Sequence, residues 1–264
     1  MKTLYKLWLI VIVMLLSLSS ANAAAKKETI GTVLNLGEQM SGLVNMLETY
    51  TLIGMGVSYQ VPTQRLKESI TAYDMMLVNL KSNFSDPEIR KSVNTMRDSW
   101  KRIRRALYGV IVLTDIKTMK INSVYINEKL RLALDELTNI KTLLLKKTKK
   151  KNKELIGAAI QVGVSAERLS SNYMMKIWQI EDPNIKKYWN KNLETLFRSL
   201  NQLKASPFAQ DPAFKKYLAV CDKEFKYFKI VYEMDMRVPA LIHKRVSHVL
   251  ENSNKMIKAI LAEK

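Results

Sequence analysis

The chain has 264 residues, 47% of them hydrophobic, so it is long enough for one or two domains with a real core and is not a disordered or low-complexity polymer. Lys and Arg number 43 against 24 Asp and Glu, a formal net charge of +19, while 8 Gly and 6 Pro leave few breaks between segments and favour long helices over many short strands. One Cys and two His exclude a disulfide scaffold and a zinc site complete within Cys and His, because tetrahedral zinc takes about four ligands.

The chain opens Met1-Lys2-Thr3-Leu4-Tyr5-Lys6, continues as an apolar run from Leu7 to Leu16, and reaches the small residues Ala21-Asn22-Ala23-Ala24-Ala25. A basic start, a short apolar stretch and a small-residue end are the pattern of a secretory signal peptide over residues 1–23, cut after Ala23. The run is shorter than the roughly 20 residues a bilayer span needs; the alternative is an uncleaved N-terminal tether. No later segment reaches spanning length, so a periplasmic or secreted protein is expected, with no transmembrane span in the mature chain. Loss of Lys2 and Lys6 would leave that chain at +17. Disulfides form in such compartments, yet Cys221 has no partner within the chain. It is either a buried small hydrophobe or an intermolecular link.

From there apolar residues recur at alternating steps of three and four, the spacing that turns one stripe of a helix toward its neighbours. Val33, Leu36, Met40, Leu43, Leu47, Tyr50 and Gly54 form the first stripe, and Leu66, Ile70, Tyr73, Leu77 and Leu80 the second. Ile89, Val93, Met96, Trp100, Ile103 and Leu107 form the third, and Ile126, Leu130, Ala133, Leu137, Ile140 and Leu144 the fourth. Gly54, Gly56 and Pro62 separate the first two, and Asp86-Pro87-Glu88 supplies a cap, a first-turn proline and an acid at the next start. The path of residues 108–125 stays open between a bend and continuous helix, because no Gly or Pro punctuates 110–122. Residues 24–145 read as one up-and-down four-helix unit.

Residues 146–153, Lys146-Lys147-Thr148-Lys149-Lys150-Lys151-Asn152-Lys153, are either a solvated hinge or the middle of one long helix. Beyond them, residues 154–264 repeat the pattern of the first unit. Asp211-Pro212 leads into Phe214, Leu218, Cys221, Phe225, Phe228 and Tyr232 with the same steps as Asp86-Pro87 and its stripe, and Ile242, Val246, Val249, Ser253, Met256 and Ile260 match the fourth stripe. Asp182-Pro183 starts a helix with Leu193, Phe197, Leu200 and Leu203 on its inner stripe. The fold class expected is all-α, two tandem up-and-down four-helix bundles related by an internal repeat. Residues 24–150 carry +9 and residues 151–264 carry +8, so basicity belongs to the whole surface.

Leu34-Asn35-Leu36-Gly37-Glu38-Gln39-Met40-Ser41-Gly42-Leu43-Val44-Asn45-Met46, continuing to Tyr50-Thr51-Leu52-Ile53-Gly54, resembles the sensor region of type IV pilus methyl-accepting chemotaxis transducers (PilJ) and NarX-type nitrate sensor kinases. That family opens its first helix with a pattern close to G-R-Q-R-M-L-S-Q-R-M. The second unit keeps Glu167-Arg168-Leu169-Ser170-Ser171-Asn172-Tyr173-Met174-Met175-Lys176-Ile177-Trp178. The resemblance implies a helical sensor domain in two tandem copies. In the family's nitrate sensors an arginine of the motif holds the anion between the first helices of a dimer. The matching positions are Met40 and Arg168, so the first unit lacks that arginine and the second keeps it.

Arg168 also draws attention on physical grounds. Aligned with the first helix it falls on the core stripe, with Val164, Ser171, Met175 and Trp178 as stripe neighbours. A guanidinium cannot shed its charge there and needs an anionic partner. A bound oxyanion would meet its donors, and so would an acid such as Glu167 or Glu194; one register of the repeat instead turns it to the surface. Arg168, Ser171 and Asn172 are the candidate ligand-binding residues. No catalytic residue, metal site or cofactor is proposed by the sequence, since no nucleophile–base pair, cleft carboxylates or glycine-rich phosphate loop stands out. His243 and His248 sit on different faces of a helix. The cations around Trp100 read as a solvated face, and the 14 Met as core filler.

The function expected is non-enzymatic: a sensor-type bundle acting as a periplasmic signalling accessory, its partners a small anion, a membrane receptor, or a second copy joined through the first helices. Export argues against nucleic acid. The rival reading is a basic envelope protein adhering to anionic surfaces without a small ligand.

Overall fold

The stripes close into helices whose apolar sides face one another. A computed structural model describes residues 30–84, 86–112 and 115–263; the expected signal peptide, residues 1–23, lies outside them. In chain order the helices are α1 (residues 30–54), α2 (Pro62–Asn83), α3 (Pro87–Val112), α4 (Ile116–Lys147), α5 (Lys153–Ile177), α6 (Ile185–Lys204), α7 (Pro212–Glu233) and α8 (Pro239–Ala262), with a 3₁₀ turn at Pro207–Gln210. Every regular element among the described residues is helical, and no helix there is long and apolar enough to cross a membrane.

The expected boundaries follow cap chemistry. Asp86 accepts from the backbone N–H groups of Glu88 and Ile89 at the start of α3, and Asp211 accepts from Phe214 N at 2.8 Å at the start of α7. The open stretch 108–125 breaks rather than continuing. Asp115 caps α4 by accepting from Lys117 N and Thr118 N, both at 3.1 Å, which satisfies two N–H groups that a helix start leaves free. The basic run at 146–153 breaks too. Helix α4 ends at Lys147, Asn152 takes a left-handed φ of 61°, and α5 starts at Lys153.

Helix α2 packs on α3, α3 on α4, α7 on α8, and α5 on both α6 and α8. Helix α1 lies along α5, running the same way. A side chain on Gly37 would crowd Ile160 near one end, Asn45 donates to Glu167 in the middle, and a Cβ on Gly54 would overlap the Trp178 ring near the other end. Glycine at position 54 is what lets α1 approach the indole. With neighbours on so many sides, α5 loses its polar face: Ile156, Ala158 through Ile160, Val162 through Glu167 and Leu169 through Met175 are all buried.

All the stripes read from residues 30–144 are buried apart from the partly covered Gly54, as are the α8 stripe and the α7 stripe up to Phe228, with Tyr232 half-buried. Cys221 is buried among them, and desolvation pushes its thiol up to about 12. The stripe assigned to α6 needs correction. Phe197 is 44% exposed, and the inner face runs Ile185, Trp189, Asn192, Leu196, Ser199, Leu200 and Leu203. A buried asparagine at a stripe position hid the true phase.

Candidate functional site

Arg168, Ser171 and Asn172 come together on one wall of a partly open pocket of about 40 Å³, room for two or three waters or one small ion. Helix α5 supplies these residues, α1 gives Val44 and Leu47, α4 gives Asn127, Arg131 and Asp135, and α6 gives Tyr188, Lys191 and Asn192. The inward Asn192 that upset the α6 stripe is thus a cavity residue. The lining holds three cations and one carboxylate, and that carboxylate, Asp135, sits on an exposed position of α4.

The donors of this wall are not all used. Arg168 Nε and Asn172 Nδ2 are closed to solvent and have no hydrogen-bond partner among the described residues. Neither acid considered for Arg168 serves it: Glu194 pairs with Arg198 at 2.9 Å, and Glu167 accepts from Asn45 at 3.3 Å. Burial holds the guanidinium below its ordinary pKa, Asp135 partly offsetting this and Arg131 adding to it. Arg131 in turn lies over the Tyr188 ring, 3.3 Å from its centroid. Lys141, further along α4, is buried with a 3.5 Å contact to Gln161 Oε1, and desolvation followed by the charge of Arg168 pushes it down to about 8. Ser171 is different. Its hydroxyl is engaged with Val44 O at 3.1 Å and Glu167 O at 3.0 Å, so it fastens α5 to α1 and is not a free donor.

A second polar cluster lies at the α1–α5 seam, and the sequence pattern did not reveal it. Glu48 is 0% exposed and Glu167 3%. Asn45 Nδ2 reaches both carboxyls, at 3.5 and 3.3 Å, so one amide bridges the two. Burial raises Glu167 well above the usual carboxylate range, and the neighbouring Glu48 raises it further. Two carboxylates held this close repel when both are ionised, which is why Glu48 adds to the rise at Glu167. His243 from α8 stands 2.7 Å from Glu48 through Nδ1 and 3.0 Å from Gln60 Oε1 through Nε2. Gln60 and Val61 both adopt left-handed φ, 53° and 47°, and Val61, being β-branched, is strained there. Arg65 from α2 donates to Asn45 and Thr49 at 3.1 and 3.4 Å, leaving Nη1 buried without a partner.

One signal could have found both clusters. Within the apolar and small-residue stretch 155–175, Glu167 and Arg168 are the only charged residues. Among the described residues no group of three or more His, Cys, Asp or Glu is arranged to hold a metal ion. No family model matches the chain, and no curated protein or solved structure matches it.

Proposed function

We propose that this chain is a non-enzymatic, exported binding protein that takes a small oxyanion into the cavity beside Arg168 and acts as a signalling accessory through a partner. The observation that carries the reading is the pair of buried, unpartnered donors, Arg168 Nε and Asn172 Nδ2, on a wall shared with Arg131 and Lys191. Buried donors are normally satisfied, and an unpaired buried charge is costly. An anion with several acceptor oxygens answers both demands at once. A volume near 40 Å³ favours a compact ion such as nitrate or nitrite over a dicarboxylate.

The two-unit organisation is part of the same proposal. Support comes from how α1 meets α5: the seam joins residues 122 apart at Asn45–Glu167 and 127 apart at Val44–Ser171. Those separations lie close to the 125 residues between Asp86-Pro87 and Asp211-Pro212 in the sequence. The first helices of the two units would then lie side by side within one chain, as the first helices of two subunits do in the sensors it resembles.

The test is thermal unfolding of the purified protein with a panel of nitrate, nitrite, dicarboxylates and other small anions. A compact oxyanion is expected to raise the melting temperature, and Arg168→Ala to abolish the rise. A panel that shifts neither protein removes the proposal.

A further inference from the structure

Four connections meet at one end of the molecule. Tyr50 Oη donates to Met119 O at 3.1 Å, tying the end of α1 to the start of α4. Lys120 Nζ reaches Gln179 O beyond α5 at 3.5 Å, and Tyr173 Oη donates to Met236 O at 2.7 Å in the α7–α8 turn. His243 Nε2 adds the α1–α2 turn through Gln60. At this end large apolar side chains face water: Val61 is 63% exposed, Val112 79%, Ile116 55% and Met234 67%, with Met236 and Leu241 also uncovered. Toward the opposite end, marked by Asp86, Asn152 and Asp211, the exposed large hydrophobic residues of the described chain stand singly, as Val78 and Phe197 do.

The same end is strongly basic where α3 meets α4. Residues 101–120 hold six Lys or Arg and one acid, Asp115, whose carboxylate is engaged in capping α4. Lys101, Arg105, Tyr108, Ile111, Val112 and Tyr125 line an open groove there. Apolar tips, tyrosines beside them and a collar of cations are the three elements that bind a lipid interface: the tips enter the acyl boundary, phenol rings sit at headgroup depth, and cations meet phosphates. Exposed apolar surface of this kind is otherwise a liability for a free protein. A second copy is a poor occupant, because two such collars repel.

We propose that the α3–α4 end of the molecule is a docking surface for anionic lipid, with Val112 and Ile116 entering the bilayer and Lys101 and Arg105 meeting headgroup phosphates. This is independent of the oxyanion cavity.

The experiment is co-sedimentation of the full chain with phosphatidylcholine vesicles, with and without phosphatidylglycerol, over roughly 0.05 to 0.5 M salt. Wild type is expected to bind only the anionic vesicles. The double variant Val112→Asp, Ile116→Asp and the double variant Lys101→Glu, Arg105→Glu should each lose about tenfold or more in partitioning. The variant Lys215→Glu, Lys216→Glu makes the same charge change at the opposite end and should bind as wild type does. All six positions are exposed, and circular dichroism checks that each variant is folded. Failure to bind anionic vesicles, or equal losses in the Lys101/Arg105 and Lys215/Lys216 variants, overturns the proposal in favour of a protein partner or diffuse charge. Undiminished binding by the Val112/Ile116 variant overturns it as well.

Discussion

Glu167 shows how a single side chain in this core couples the fold to pH. Its folded pKa lies above the ordinary 4.5 because burial, then Glu48, penalise its anion. The groups around it are Glu48 and Asn45 on α1, Arg65 on α2 and, through Glu48, His243 on α8. The folded state therefore holds this proton more tightly than the unfolded chain does. Its contribution to stability is greatest below the unfolded pKa and is lost as pH rises toward the folded one. Glu167→Gln keeps a neutral donor for Glu48 and removes the titration. The variant should exceed wild type in urea-unfolding free energy at about pH 8, with the gap closing near pH 5; a gap that widens toward acid would contradict a raised Glu167 pKa. Arg168 was legible from sequence because a charge on a core stripe is anomalous by itself. Glu48 was not, since it sits beside Leu47 on a helix whose outer residues are also polar, and only the arrival of α5 and α8 on that side buries it.

At the scale of the helix, capping decides where elements begin. Asp211 offers a clean measurement, because its side chain accepts from Phe214 N and makes no ion pair among the described residues. Asp211→Ala should lower unfolding free energy by about 1 kcal/mol in denaturant titration, with Asp211→Asn retaining most of it. Asp86 is a less simple probe, since it also pairs with Lys147 across to α4. The Asp-Pro starts of α3 and α7 were readable because proline marks the first turn, whereas the start of α4 was not, Asp115 standing in a β-branched run with no proline after it. Helix phase was equally readable wherever the inner face is apolar. It failed on α6, where Asn192 faces inward to the cavity while Phe197 faces water. The residues that mislead a pattern search are thus those a polar site recruits into the interior.

The whole molecule depends on the α1–α5 seam, and this bears on how it unfolds. Helix α5 is buried on nearly all sides, and part of that cover is α1: Gly37 against Ile160, Tyr50 with its ring centroid 6.3 Å from Trp178, and Gly54 beneath the same indole. Polar groups are shared in the same way, with Ser171 bonded to Val44 O and His243 to Glu48. If residues 153–263 separated from residues 30–147, α5 would expose an apolar face and the paired carboxyls would lose their cross-seam partners. Neither half keeps a complete core alone, so opening one should open the other. Hydrogen exchange read peptide by peptide across a urea series tests this. Peptides from α2 and α3 and peptides from α6 and α7 should lose protection at the same denaturant concentration, with an m-value matching the entire chain. Two separated midpoints would mean that each half is held by its own core and that the seam adds little, and the long parallel contact of α1 with α5 would then be an assembly feature and not a condition of folding.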